Sequence, residues 1–171
     1  MTVPLTLRVL RPDDSTVFAS WQTDALFAAH AGWRLTSSPT DGEQWWRESI
    51  VAPDPLLLRL AAVEGEELVG YVDLYGSGPD ERELGYLIGP SSGWGRGRAT
   101  SAARAAVAYG FERLGLSRLW AEAVVANRAS VRVLEKVGLV PMGRGEAEPF
   151  LGRQSHYERF EIMRSDWHDI L

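Results

Sequence analysis

Apolar and polar residues alternate from Leu5 to Leu10, and the run breaks at Arg11-Pro12-Asp13. That pattern predicts a strand followed by a helix start. Helical spacing continues over about Asp14 to Ala29. Thr40 or Asp41 offers a cap for a second helix reaching about Val51, stopped by Pro53 and Pro55. Leu56 to Val63 is strongly apolar and predicts a strand. Glu64-Gly65-Glu66 reads as a tight turn, and Leu68 to Tyr75 returns as the hairpin partner. After the loop Gly76 to Asp80, Glu83 to Gly89 predicts a third strand, which completes an antiparallel meander.

Organisation changes at Pro90. A glycine-rich loop, Ser91 to Gly97, opens the longest helical pattern of the chain, about Arg98 to Leu114. Ala99, Ala102, Ala103, Ala106, Val107, Phe111 and Leu114 follow helical spacing, and Gly115 ends the run. Leu119 to Val125 predicts another strand. Asn127 then caps a helix that runs to Val137 and stops at Gly138. Val140 to Gly143 and about His156 to Met163 are the last strands, joined by a loop containing Pro149. No internal repeat or linker interrupts the 171 residues, so one mixed α/β domain over 1–171 is expected.

Composition removes several function classes. There is no cysteine, which excludes disulfides, thiolate metal sites and a cysteine acyl-enzyme. His30, His156 and His168 are scattered without ligand spacing, so no metal is expected, and surface or hydrogen-bonded imidazoles are the reading for His30 and His168. No stretch approaches the roughly 20 apolar residues of a membrane span. The first residues lack the order of a secretion signal, so a cytoplasmic protein is expected. The net charge of −5 argues against nucleic acid as a partner. From Arg96 to Lys136, eight basic residues face three acidic ones, so that segment carries +5 and the remainder −10. A basic block in an acidic chain suits one anionic ligand, although a solvated helix face has the same composition.

The segment Gly93-Trp94-Gly95-Arg96-Gly97-Arg98-Ala99-Thr100 sits between a predicted strand and a predicted helix. Glycines there permit unusual backbone angles and keep side chains away from an approaching phosphate. The first free amides of the helix would point at that space, backed by the positive end of its dipole. Arg96 and Arg98 would add charge. A glycine-rich turn alone can also be a plain connection. The dinucleotide pattern GxGxxG does not fit, because its sixth position is Arg98 or Thr100.

Trp94 to Ala99 resembles the cofactor loop of the GNAT superfamily of acyl-CoA-dependent N-acetyltransferases. Asn127, Ser130 and Leu134 to Gly138 resemble the later signature of its RimJ/RimL-type branch. LRVLRPDD, ELGYLIGP, YGFERLGLSRL and Asp166-Trp167 add to a likeness that covers nearly the whole chain. The resemblance implies an α/β (α+β) fold, a mixed and mostly antiparallel sheet of about seven strands flanked by about four helices. The sheet would splay at a central parallel pair, Glu83–Gly89 and Leu119–Val125. Acetyl-CoA would be the cosubstrate. The amides of Arg96, Gly97, Arg98, Ala99 and Thr100 would hold its pyrophosphate. The strand edge around Tyr86 and Ile88 would bond the pantetheine arm and acetyl carbonyl. Asn127 would reach the pantetheine, and Ser130 would lie near the thioester sulfur.

Three departures stand out. Leu134 occupies a position where many members carry a tyrosine that protonates the leaving thiolate. Ser130 is then the remaining candidate acid, unless its hydroxyl only bonds its own helix. Ser101-Ala102 replaces a common Glu-Ala, and the interval from Pro90 to the loop glycines is one residue longer.

An amine acceptor must lose a proton before attack, and backbone donors at the strand edge would hold the oxyanion. Glu83 is the first candidate base, with Asp73, His156 and Glu158 behind it; a solvated carboxylate at a strand entrance is the plain alternative for Glu83. Trp21, Trp33, Trp45 and Trp46 fall where this family builds its acceptor cleft, as pocket walls or simply as core. The implied activity is acetyl transfer to a peptide N-terminal or small-molecule amine in a ternary complex, with a homodimer as a possible assembly. Two other readings stay open: a non-catalytic acyl-CoA-binding or sensing module, and a phosphate-binding structural protein.

Overall fold

The computed structural model describes residues 3–167, so His168 lies outside the described residues. β1 (Leu5–Val9), β2 (Leu57–Glu64), β3 (Glu67–Tyr75) and β4 (Glu81–Ile88) form the expected antiparallel meander. β5 (Arg118–Val124) adds parallel to β4, and β7 (His156–Met163) and β6 (Val140–Ala147) complete a seven-stranded sheet in the order β1-β2-β3-β4-β5-β7-β6.

Five α-helices cover the two faces. The expected helix over Asp14 to Ala29 is two helices, α1 (Asp14–Trp21) and α2 (Ala25–Ala31). The break has a cause. Asp24 leaves helical geometry to cap α2, accepting from the Phe27 amide at 3.0 Å, and its other oxygen accepts from the Ser91 amide at 2.8 Å. One carboxylate therefore ties α2 to the loop that follows β4. The helix α3 (Glu43–Val51) starts later than expected, after Gly42 at φ 84°, and neither Thr40 nor Asp41 caps it. The long helix α4 is regular over Arg98–Ala108 and then widens into a π-helical turn, Tyr109–Arg113. α5 is Arg128–Val137.

Two cores result from the alternation of β side chains between sheet faces. On one face Leu84, Ile88, Leu119, Ala121, Phe160 and Ile162 pack under α4 and α5. Ala102, Ala103 and Ala106 of α4 are fully buried and let the helix lie close to the sheet. α5 contributes Val131, Leu134 and Val137, a spacing of three that keeps one stripe inward. On the other face Phe18, Trp21, Phe27, Trp46 and Tyr71 form an aromatic core beneath α1 to α3. An ion pair ties β1 to the start of α1. Asp14 receives two 2.8 Å bonds from Arg8 and one of 2.8 Å from the Arg11 amide.

Candidate active site

The parallel ladder between β4 and β5 is short. It joins Glu81, Arg82 and Glu83 to Arg118, Leu119 and Trp120, and the two strands do not pair beyond that point. The orientation of the freed edge follows from the β3 register. Gly89 donates to the Val69 carbonyl, so the directly opposed pairs that exchange bonds with β3 fall at alternate residues, including Leu87 and Gly85. The main-chain groups of Leu84, Tyr86 and Ile88 face the opposite way, into the gap. Of these, the Ile88 carbonyl accepts from Trp94 Nε1 at 2.8 Å. Ile88 therefore offers its N–H to the gap, not its carbonyl.

A short 3₁₀ turn, Ser91–Gly93, follows Pro90. Gly89 precedes it against the Trp21 indole, where an added Cβ would sit 2.6 Å from a ring carbon. Gly97 ends the loop at φ 77° as the residue before α4, with open space where a side chain would project. The Ser101 amide makes the first α4 bond, to the Gly97 carbonyl. The amides of Gly97, Arg98, Ala99 and Thr100 find no acceptor among the described residues, as in the opening turn of any helix.

These parts meet in one cavity of about 510 Å³. Tyr86, Ile88, Gly97, Arg98, Ala99, Thr100, Asn127 and Ser130 all line it. Asn127 caps α5, its side-chain oxygen accepting from the Ser130 amide at 3.3 Å. Across the gap the Tyr86 hydroxyl lies 3.0 Å from both Ser130 Oγ and the Ser130 carbonyl oxygen. Burial pushes the Tyr86 phenol up to about 12, partly offset by the Ser130 hydrogen bond. Leu134 lies buried in the core, 1% exposed, and carries no proton to give.

The charge around this cavity differs from the sequence expectation. The Arg98 guanidinium turns away from the loop amides and pairs with Glu64 at 2.7 Å and Glu67 at 3.3 Å. It braces the loop against the β2–β3 turn, with its net charge neutralised there. Arg96 is exposed and outside the lining. Arg132 and Lys136, one turn apart on α5, also line the cavity. Sequence reading counted both as basic residues but gave them no role; their i, i+4 spacing in a helix capped by Asn127 was the available signal.

Glu83 stands at the last paired position of the β4–β5 ladder, half-buried, on the sheet face opposite Tyr86. Burial raises its carboxyl above the usual range, and the Glu122 and Asp73 carboxylates raise it further; Arg159 opposes them. Arg159 itself pairs with Glu122 at 3.1 Å and lies 4.5 Å over the Trp120 ring. The fallback bases fare differently. Asp73 is held by Arg59 through two 2.7 Å bonds. His156 and Glu158 alternate with Tyr157 and Arg159 and so belong to the opposite sheet face.

The acetyltransferase (GNAT) domain pattern matches residues 4–140, four-fifths of the chain. The chain belongs to this family. Among curated relatives, an FsC-acetyl coenzyme A-N(2)-transacetylase of Aspergillus fumigatus is 33% identical over 92 residues, 52% of this chain and 38% of that protein. The uncharacterised N-acetyltransferase YoaA of Bacillus subtilis is 38% identical over 80 residues, 46% of this chain and 45% of its own. These matched regions span less than half of either relative. A solved spermidine N-acetyltransferase from Vibrio cholerae, in complex with CoA and spermine, superposes with a TM-score of 0.76 at 24% identity. That superposition covers 95% of this chain and 96% of the other, and it shows the fold.

Within this GNAT fold the splayed β4–β5 pair, the free amides of α4 and the α5 cap open onto one volume from three separate elements. Glu83 approaches from the other side of the sheet. Among the described residues, no group of histidine and carboxylate side chains has metal-binding geometry, and no helix is long and apolar enough to cross a membrane.

Proposed function

We propose that the chain transfers the acetyl group of acetyl-CoA to a primary amine by direct attack within a ternary complex. One observation carries this reading: the unsatisfied amides of Gly97 to Thr100 and the unpaired edge at Tyr86 and Ile88 line the same 510 Å³ cavity. A pyrophosphate would accept from those amides, with Arg132 and Lys136 supplying charge at the rim. The pantetheine arm would lie as a strand beside β4, with the Asn127 side-chain amide free to donate to it. Gly97, with nothing to fill its left-handed position, fits a phosphate drawn close to the backbone.

Glu83 would take the proton that the attacking amine must lose, directly or through water. Burial and the neighbouring carboxylates raise its carboxyl, which makes it a better proton acceptor than an ordinary glutamate. The nitrogen forms a bond to the acetyl carbon as the carbon–sulfur bond breaks, and CoA leaves as a thiol. Ser130, held by Tyr86, would meet the departing sulfur in place of the side chain that Leu134 lacks. The likeness to the RimJ/RimL-type branch supports an N-terminal α-amine or a small-molecule amine as acceptor. A cytoplasmic location and a possible homodimer remain part of this proposal, and the net charge of −5 speaks for a small or peptide partner over nucleic acid.

Buried Leu134 favours one rival, a module that binds acyl-CoA without turning it over. Thiol release from acetyl-CoA across a panel of amines, run beside calorimetry with acetyl-CoA and ADP, separates the two. The transferase reading expects amine-dependent thiol release and acetyl-CoA bound in preference to ADP. Tight binding with no turnover on any amine class would overturn it in favour of the binding module.

A further inference from the structure

Gly95 and Gly97 both stand at φ 77°, and a Cβ added to either would meet nothing within 4 Å. Glycine has the widest backbone freedom, so this stretch of the loop has no packing of its own to hold it. Its restraints lie on either side. Trp94 Nε1 donates to the Ile88 carbonyl at 2.8 Å and pins the loop to β4. Arg98 anchors the other side. Its Nε and Nη2 both donate to Glu64 Oε2, at 3.0 and 2.7 Å, and Nη2 reaches Glu67 Oε2 at 3.3 Å.

The same guanidinium packs against the start of the loop. A Cβ on Gly93 would sit 2.8 Å from Arg98 Nη1, so the missing side chain is what gives the guanidinium its place. Arg98 opens α4 and is 8% exposed. Its planar fork fixes direction as well as distance, which a point charge does not. The first turn of α4, which carries the free amides, is therefore oriented from the β2–β3 turn. Glu64 and Glu67 themselves lie outside the cavity lining.

Resting on the acetyl-transfer reading, we propose that Arg98 is a positioning residue and not a phosphate ligand, and that Glu64 sets the affinity for acetyl-CoA through it. Removing the Glu64 carboxylate has two effects of opposite sign. By charge, it takes away an anion and releases a cation next to the amides, which favours an anionic cosubstrate. By geometry, it frees the first turn of α4 and misaims those amides. Geometry wins here. Hydrogen bonds weaken steeply with misalignment, whereas the charge effect of a carboxylate 28% exposed is screened by solvent.

Two variants separate these effects. Glu64→Ala removes both the charge and the acceptor, and Glu64→Gln removes the charge but keeps an oxygen able to accept both Arg98 bonds. Calorimetry with acetyl-CoA, without amine, is run at a temperature where thermal melts show each variant folded. Glu64→Ala should raise Kd roughly fivefold or more, and Glu64→Gln should stay within about twofold of the parent. In turnover, Glu64→Ala should raise the KM for acetyl-CoA and leave kcat unchanged. An unchanged or lower Kd in Glu64→Ala would overturn the proposal, even with a lowered melting temperature, which would leave Glu64 a purely structural part. Tighter binding by Glu64→Gln, or a loss equal to that of Glu64→Ala, would overturn it too. The expected order of Kd values without turnover on any amine would sink the transferase reading alone. Turnover with a Kd indifferent to Glu64→Ala would sink the positioning role alone.

Discussion

The Tyr86 hydroxyl reaches from β4 to α5 and lies 3.0 Å from both oxygens of Ser130, its carbonyl and its Oγ. A phenol has one proton for these two oxygens. When Tyr86 donates to Ser130 Oγ, the Ser130 hydroxyl is held at the cavity wall with its own proton left to meet the departing sulfur. With its phenol pushed up to about 12 by burial, Tyr86 keeps that proton across the neutral range. Tyr86→Phe should therefore lower kcat by roughly tenfold or more while leaving the KM for acetyl-CoA nearly unchanged. Ser130→Ala should behave alike, and the double variant should lose little beyond either single one. Additive losses in steady-state kinetics would show that the two do not act as a unit.

Glu83 gives the pH dependence. Burial, then Glu122 and Asp73, raise its carboxyl, so the acidic limb of kcat/KM should fall at a higher pH than an ordinary glutamate would produce. Glu83→Gln should remove that limb and lower kcat by about a hundredfold. The neighbours shift it in opposite senses. Glu122→Gln removes a repelling charge and frees Arg159 from its pair, and both changes should move the limb to lower pH. Arg159→Gln removes an attracting charge and should move it higher.

The α5 cations predict a salt-sensitive cosubstrate site. Reversing Arg132 and Lys136 to glutamate should raise the KM for acetyl-CoA at least tenfold at low salt, and less at high salt. Reversing exposed Arg96, which lies outside the cavity lining, should have a smaller effect. Gly97→Ala should weaken acetyl-CoA binding and cost about 1 kcal/mol of stability, because φ 77° strains a residue with a Cβ. Calorimetry and thermal unfolding read both.

Asp14 predicts acid sensitivity. Burial alone would raise its carboxyl, but the Arg8 hydrogen bonds and the Arg11 amide outweigh that and hold it below the usual range. A carboxylate lowered in this way stabilises the fold above its unfolded pKa of about 3.9, and the contribution is lost as pH falls through the lower folded value. Asp14→Asn should cost about 3 kcal/mol near neutral pH, since it leaves Arg8 without its buried partner. Its urea-unfolding free energy should also vary less with pH between about 5 and 2 than that of the parent.

Much of this architecture was legible from local pattern. Alternation in β1, the apolar run of β2 and the turn residues between segments located all seven strands to within one to a few residues at most ends, although β6 runs on to Ala147 where the pattern stopped at Gly143. The helix ends at Gly115 and Gly138 and the Asn127 cap were equally readable, because caps and left-handed glycines act over three or four residues. The break at Asp24 was not. Asp24 looks like a polar helix residue until Ser91, 67 positions away, supplies the amide that draws its carboxylate out.

Chain order and residue type by themselves determined the strand–loop–helix that can cradle a phosphate, the absence of thiol chemistry, and the family resemblance that rests on Trp94 to Ala99 and Asn127 to Gly138. Those are properties of neighbouring residues and of backbone freedom. Only the tertiary structure decided where charge and protons go. Arg98 is neutralised by Glu64 and Glu67, Arg59 lies over the Tyr71 ring, and Tyr86 meets Ser130 across 44 residues. A charge's effect depends on its partner and its burial, and a linear sequence states neither until the sheet has closed.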